Sequence, residues 1–162
     1  MTTIDIPMSD APAILPDALR SLLDGTDLAD KVGHTLLLIA GGDVPRVAML
    51  SVGEVYTPDP DQVRMAIYEG SRTTRQVMES GRCLLFFVLD DTVYKIALRL
   101  TGSQTFDDDP INVYLRADIT DVTLDVVDYA RMTGTLWFEL AEPRDTLQRW
   151  QRTNRRLRQM DV

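Results

Sequence analysis

Two apolar runs, CLLFFVL and VYKIALRL, are separated by little more than the acidic pair Asp90–Asp91. In the second run Tyr94, Ile96, Leu98 and Leu100 alternate with Val93, Lys95, Ala97 and Arg99. That is the period of a strand with one buried face and one partly wet face. Two such runs joined by a short polar pair predict an antiparallel hairpin. Strand-sized runs recur along the chain, among them HTLLLIA, RVAMLSVGEV, VRMAIYE and VYLRADITDVTL, and GTLWFEL reads as the last strand. Between them lie GGD (41–43), TPDPD (57–61) and FDDDP (106–110), which read as turns and loops. Proline in particular cannot donate to a ladder.

Helices flank this β-rich middle. In LPDALRSLLDG the leucines at 15, 19, 22 and 23 share a face and Gly25 ends the run, which predicts a helix over about 16–24. In EPRDTLQRWQRTNRRLRQM, Pro143 suits a first helical turn, and Leu147, Trp150, Leu157 and Met160 form one stripe of a helix over about 143–160. With 162 residues and no linker-like or repeated segment, the expectation is one domain, 1–162. Its expected class is mainly β: a six-stranded antiparallel barrel with flanking helices, because closure removes exposed sheet edges.

Composition narrows the function. The net charge of −8 argues against nucleic acid as partner, since phosphate neutralisation dominates that affinity. No apolar run approaches the roughly 20 residues that span a bilayer. MTTIDIPMSD shows no basic-then-apolar signal, and a single cysteine excludes an intramolecular disulfide framework, so the expectation is a cytoplasmic protein without a membrane partner. Matched His, Cys or carboxylate spacing for a metal is lacking, and DDDP (107–110) lacks the alternating ligands of a calcium loop. His34 reads as a satisfied structural histidine and Cys83 as a core residue. There is no G-x-S-x-G elbow, GGDVP does not fit a dinucleotide fingerprint, and no side chain presents itself as an obligatory acid or base.

One stretch does suggest a ligand. YEGSRTTRQVMESG (68–81) carries Ser71, Thr73, Thr74 and two arginines, Arg72 and Arg75, into a turn that opens a helix ending at Gly81. A helix N-terminus presents free N–H groups and the positive end of a dipole, and a guanidinium binds phosphate through two hydrogen bonds. An anion, phosphate above all, suits that turn. The alternative reading is a capping box from Thr73 to Gln76, which satisfies the same N–H groups without a ligand. The two readings are compatible.

The order strand, SR-x-x-R-Q-V turn and helix, glycine, apolar strand resembles the FMN-binding split-barrel superfamily, pyridoxamine 5′-phosphate oxidase-like, over roughly His34 to Leu100. The resemblance implies a split β-barrel of Greek-key type, a homodimer, and non-covalent FMN, with F420 or haem as the alternatives some relatives bind. It implies that Ser71 and Arg72 contact the FMN phosphate, with Gln76 and Val77 following as the helix begins and Tyr68 closing the strand before. Met49, Leu50 and Ser51 would face the isoalloxazine, and Arg46 the phosphate or ribityl end. Thr73 stands where many relatives have lysine, a lost charge that Arg75 could replace. Trp137 or Phe138 would reach the ring from the partner chain. True pyridoxamine phosphate oxidases resemble one another in a C-terminal histidine, and the only histidine here is His34. The implied function is therefore that of a flavin-dependent oxidoreductase not acting on vitamin B6, or of a non-catalytic flavin-binding or structural barrel.

Overall fold

The structure, a computed structural model, describes residues 13–161; the N-terminal stretch in which a signal was sought lies outside them. Helix α1 (Asp17–Leu22) precedes a 3-10 turn at Leu28–Lys31. Strands β1 (Thr35–Ala40), β2 (Arg46–Ser51), β3 (Val55–Tyr56) and β4 (Gln62–Tyr68) lead to helix α2 (Arg72–Ser80). Strands β5 (Arg82–Leu89), β6 (Thr92–Phe106) and β7 (Asp109–Asp125) follow, and helix α3 (Pro143–Gln159) ends the described chain. The sheet is antiparallel throughout and has seven strands in the order β2-β1-β5-β6-β7-β4-β3.

The sheet has seven strands where a six-stranded barrel was expected, and the run RVAMLSVGEV is not continuous. It breaks after Ser51 into a tight turn, Glu54 N–H donating to the Ser51 carbonyl at 3.0 Å, and resumes as β3 on a different neighbour. The strands on either side of this turn, β2 and β3, are the two ends of the sheet order. The sheet thus curls until its ends meet in one covalent reversal without a ladder between them. GTLWFEL is not a strand: it contributes one isolated bridge, Trp137 to His34. FDDDP is shorter than a loop, since β6 runs to Phe106 and β7 starts at Asp109.

The Asp90–Asp91 hairpin forms as expected. Leu89 pairs with Thr92, and both aspartates have positive φ, 47° and 66°, the handedness that matches strand twist in a two-residue turn. Along β4 both faces are covered. Val63, Met65 and Ile67 enter the main core, while Ala66 joins Tyr114, Leu157 and Met160 beneath α3. Arg64 lies on that second face, buried, and donates to the carbonyls of Leu157 at 2.8 Å and Arg158 at 3.3 Å, near the C-terminal end of α3. A cation there satisfies orphan carbonyls and the negative end of the helix dipole. The arginine-rich face of α3 is partly engaged: Arg156 pairs with Asp108 at 2.8 Å, and Arg158 lies over the Tyr56 ring.

Trp150 of α3 is 3 % exposed and lies against the β2–β3 reversal, where a Cβ on Gly53 would fall 2.1 Å from its Cγ. No side chain fits between them. Gly53→Ala is expected to cost about 2–3 kcal/mol through forced repacking, lowering the melting temperature by roughly 4–12 °C. An unchanged thermal melt would mean that Trp150 does not rest on this turn.

Candidate functional site

The first part of the site is the start of α2. Ser71 is the N-cap, with extended backbone, and its Oγ accepts from the Thr74 N–H at 2.9 Å. Thr74 Oγ1 in turn donates to the Tyr68 carbonyl at 2.6 Å, tying the helix to the end of β4. The cap is therefore two residues earlier than the expected box at Thr73. Gln76 is not part of it: its Nε2 donates to the Ala40 carbonyl at 3.2 Å and also to Gly41 and Val44, holding α2 against the β1–β2 turn. Gly81, at φ 67°, closes the helix through its N–H to the Val77 carbonyl.

What remains open at this helix start is a donor set. The N–H groups of Arg72 and Thr73 meet no acceptor among the described residues. The side chains of Arg72 and Arg75 are exposed and form no ion pair among the described residues. Thr73 is buried, so its hydroxyl is not a surface donor, and Tyr68 is exposed at the strand end. Arg46 is half-buried at the far end of β2, paired across the ladder with Ala40.

The second part is a cavity of about 500 Å³ between the end of β2, the segment 136–141 and the start of α3. Met49, Leu50 and Ser51 of β2 form one wall, and Trp137 and Phe138 another. From α3 come Trp150 and Arg149, whose guanidinium forms no ion pair among the described residues. Trp137 and Phe138 reach this cavity within the one chain. Arg46, Tyr68, Ser71, Arg72, Thr73, Arg75 and Gln76 do not line it. The residues named from the sequence thus fall into two groups: Met49, Leu50, Ser51, Trp137 and Phe138 at the cavity, and the others around α2, the end of β4 and the start of β2.

Glu54 also lines the cavity, and the sequence reading passed over it. Its Oε2 accepts from the Ser51 backbone N–H at 2.7 Å and from the Ser51 hydroxyl at 2.9 Å. Burial pushes its pKa above the ordinary glutamate range, against the Ser51 hydrogen bonds and the nearby Arg149 charge, which pull it down. A signal was present: Gly53–Glu54 interrupts an otherwise apolar run, where a strand would not place a glycine and a carboxylate together.

His34 and Cys83 lie elsewhere. The Nδ1 of His34 is buried without a hydrogen-bond partner among the described residues, so the histidine is not satisfied as expected. It packs edge-on against Trp137 with ring centroids 4.9 Å apart, and burial lowers its pKa, opposed by Asp90. Cys83 is buried in the core as expected, its thiol pushed up to about 12 by desolvation. No cluster of potential metal ligands occurs, and no helix is long and apolar enough to cross a membrane, among the described residues.

No protein-family model matches the chain. A Bacillus subtilis (strain 168) protein, YclD, itself uncharacterized, is 25% identical over 142 residues, covering 86% of this chain and 92% of its own. Among solved structures, a Lactobacillus delbrueckii protein provisionally named a pyridoxamine 5′-phosphate oxidase superposes with a TM-score of 0.52 at 13% identity, over 75% of this chain and 98% of that one. The two chains share a fold, a curled antiparallel sheet with flanking helices. An FMN-binding protein from Syntrophomonas wolfei gives a TM-score of 0.49 at 14% identity, over 68% of this chain and 91% of that one.

The raised pKa of Glu54 has a consequence for stability. The native state holds this proton more tightly than the unfolded chain, so the carboxyl costs stability as pH rises above the unfolded value of about 4.3. Glu54→Gln keeps an oxygen for Ser51 and removes the charge. Relative to that variant, the wild type is expected to lose stability as pH rises above about 4.3, measured by denaturant unfolding across the acid to neutral range. A constant difference across that range would show that Glu54 is not desolvated.

Proposed function

We propose that the chain binds FMN non-covalently and acts as a flavin-dependent oxidoreductase. The observation that carries this reading is the open donor set at α2: two backbone N–H groups and two guanidiniums on one helix turn, with no acceptor or ion pair among the described residues, and the helix dipole. This set has the chemistry of a phosphate site in a protein that is otherwise strongly acidic. The fold it shares with a protein named for oxidation of a phosphorylated compound supports the same conclusion.

In this reading the phosphate is held by Arg72, the adjacent N–H groups and Arg75. Ser71 serves by shaping the turn, its Oγ being occupied by Thr74. The ring lies along Met49, Leu50 and Ser51, sheltered by Trp137 and Phe138. Bound FMN would supply the hydride or electron transfer, and the chain would supply position, exclusion of water and local charge. Gln76 acts by fixing α2 to the β1–β2 turn.

The partner in this reading is a second copy. Met49 and Trp137, both at the cavity, are 70 % and 60 % exposed, and Val47 on the same edge strand is 56 % exposed. Apolar side chains of that size grouped on one edge fit an interface. A monomer in sedimentation at micromolar concentration would remove this element.

Arg72→Ala separates the phosphate from the rest of the ligand. Loss of a charge-assisted contact is expected to weaken FMN by roughly 10- to 100-fold, while riboflavin, which lacks the phosphate, changes by less than about 2-fold. Equal losses for the two ligands in fluorescence-quenching titrations would contradict the assignment.

A further inference from the structure

We propose that Glu54 donates a hydrogen bond from a protonated carboxyl to the edge of the ring held in the split-barrel cavity, so that ring binding takes up a proton. The inference rests on the reading that a flavin occupies this cavity, and it assigns a role to a side chain within it.

The geometry divides the two carboxyl oxygens. Oε2 is occupied by both donors of Ser51, the backbone N–H and the hydroxyl. A carboxylate oxygen receiving two donors has no need of a proton, which leaves Oε1 as the place for one. Oε1 has no hydrogen-bond partner among the described residues, yet it is not a sealed, unsatisfied atom, and Glu54 is among the residues lining the cavity. The neighbouring surfaces, Trp137, Phe138 and Trp150, are aromatic and suited to a planar ring. The ligand class is therefore a flat, largely apolar ring with a hydrogen-bond acceptor on its edge, which an isoalloxazine supplies through its ring nitrogens and carbonyl oxygens.

The rest of the turn keeps Glu54 in place. Its carbonyl accepts from the Ala66 N–H at 2.9 Å and its N–H donates to the Ser51 carbonyl, so the backbone is fixed on both sides. Gly53, one residue before, is covered by Trp150. The charged groups that share the cavity are Arg149 from α3 and Glu139 from the segment before it. Strands β1 and β2 contribute Thr35, Met49, Leu50 and Ser51, none of which titrates near neutrality. His34, beside Thr35, lines a different cavity with Asp90 and Asp91. Burial already favours the protonated form of Glu54, and an acceptor placed at Oε1 favours it further.

The test compares FMN dissociation constants for the wild type and Glu54→Gln from about pH 5 to about pH 9. The FMN phosphate titrates equally in both, so the difference isolates residue 54. Wild-type affinity is expected to fall relative to the variant as pH rises, by up to about tenfold per pH unit. The variant keeps an N–H donor and lacks this slope. Parallel profiles would overturn the inference and leave the FMN reading intact; no FMN binding at any pH would overturn both. A second measurement does not depend on the variant: calorimetry of riboflavin binding to the wild type at the alkaline end of that range, where free Glu54 is ionised, in two buffers of different ionisation enthalpy. Net proton uptake is expected, and binding without it would overturn the inference.

Discussion

At Ser51–Glu54 the chain leaves one end of the sheet and begins the other. A four-residue reversal there is held by its own i to i+3 hydrogen bond, by the Glu54 carboxyl on Ser51, and by Trp150 resting on a bare Gly53. The neighbouring features depend on this arrangement. Without the turn, β3 would not lie beside β4; without a bare glycine, α3 would not approach closely enough to bury its tryptophan. The cavity lies beside this reversal, bounded by the end of β2, Glu54, the segment 136–141 and the start of α3.

The two candidate binding regions have different physical origins. At α2, the helix start is capped economically: one serine serves Thr74, and two N–H groups and two arginines are left over. At the cavity the residues are mostly apolar, and the charged groups are few and opposed, Arg149 facing Glu54. One region suits an anion and the other a ring. Helix α2 packs against β1 and β2, and Gln76 fixes it to the turn that leads into the cavity-lining strand. A ligand with a charged end and a flat end matches this pairing of environments better than a simple anion does.

Much of the β architecture was legible because its signals are local. The alternation in Tyr94–Leu100, the acidic pair at 90–91 and the prolines at 57–61 each act within a few residues, and the strands formed around them. The helix start at Ser71 was legible for the same reason, although the cap fell on Ser71 rather than Thr73. The break in RVAMLSVGEV has a local mark, Gly53–Glu54, but part of what holds the turn is tertiary: Trp150, about a hundred residues later in sequence, packs on Gly53. GTLWFEL has the composition of a strand but pairs only at Trp137, with His34. The role of Gln76 in bracing a hairpin, and the presence of Arg149 beside Glu54, likewise depend on contacts between distant segments.

The most direct test of the central claim, that this barrel holds a flavin, is the visible absorption spectrum of the purified protein after incubation with FMN and removal of the excess. The account predicts flavin bands that stay with the protein in about one equivalent per chain and are lost on denaturation. A colourless protein after that treatment, with its fold intact by circular dichroism, would contradict it: the start of α2 would then be a capped helix end and no more.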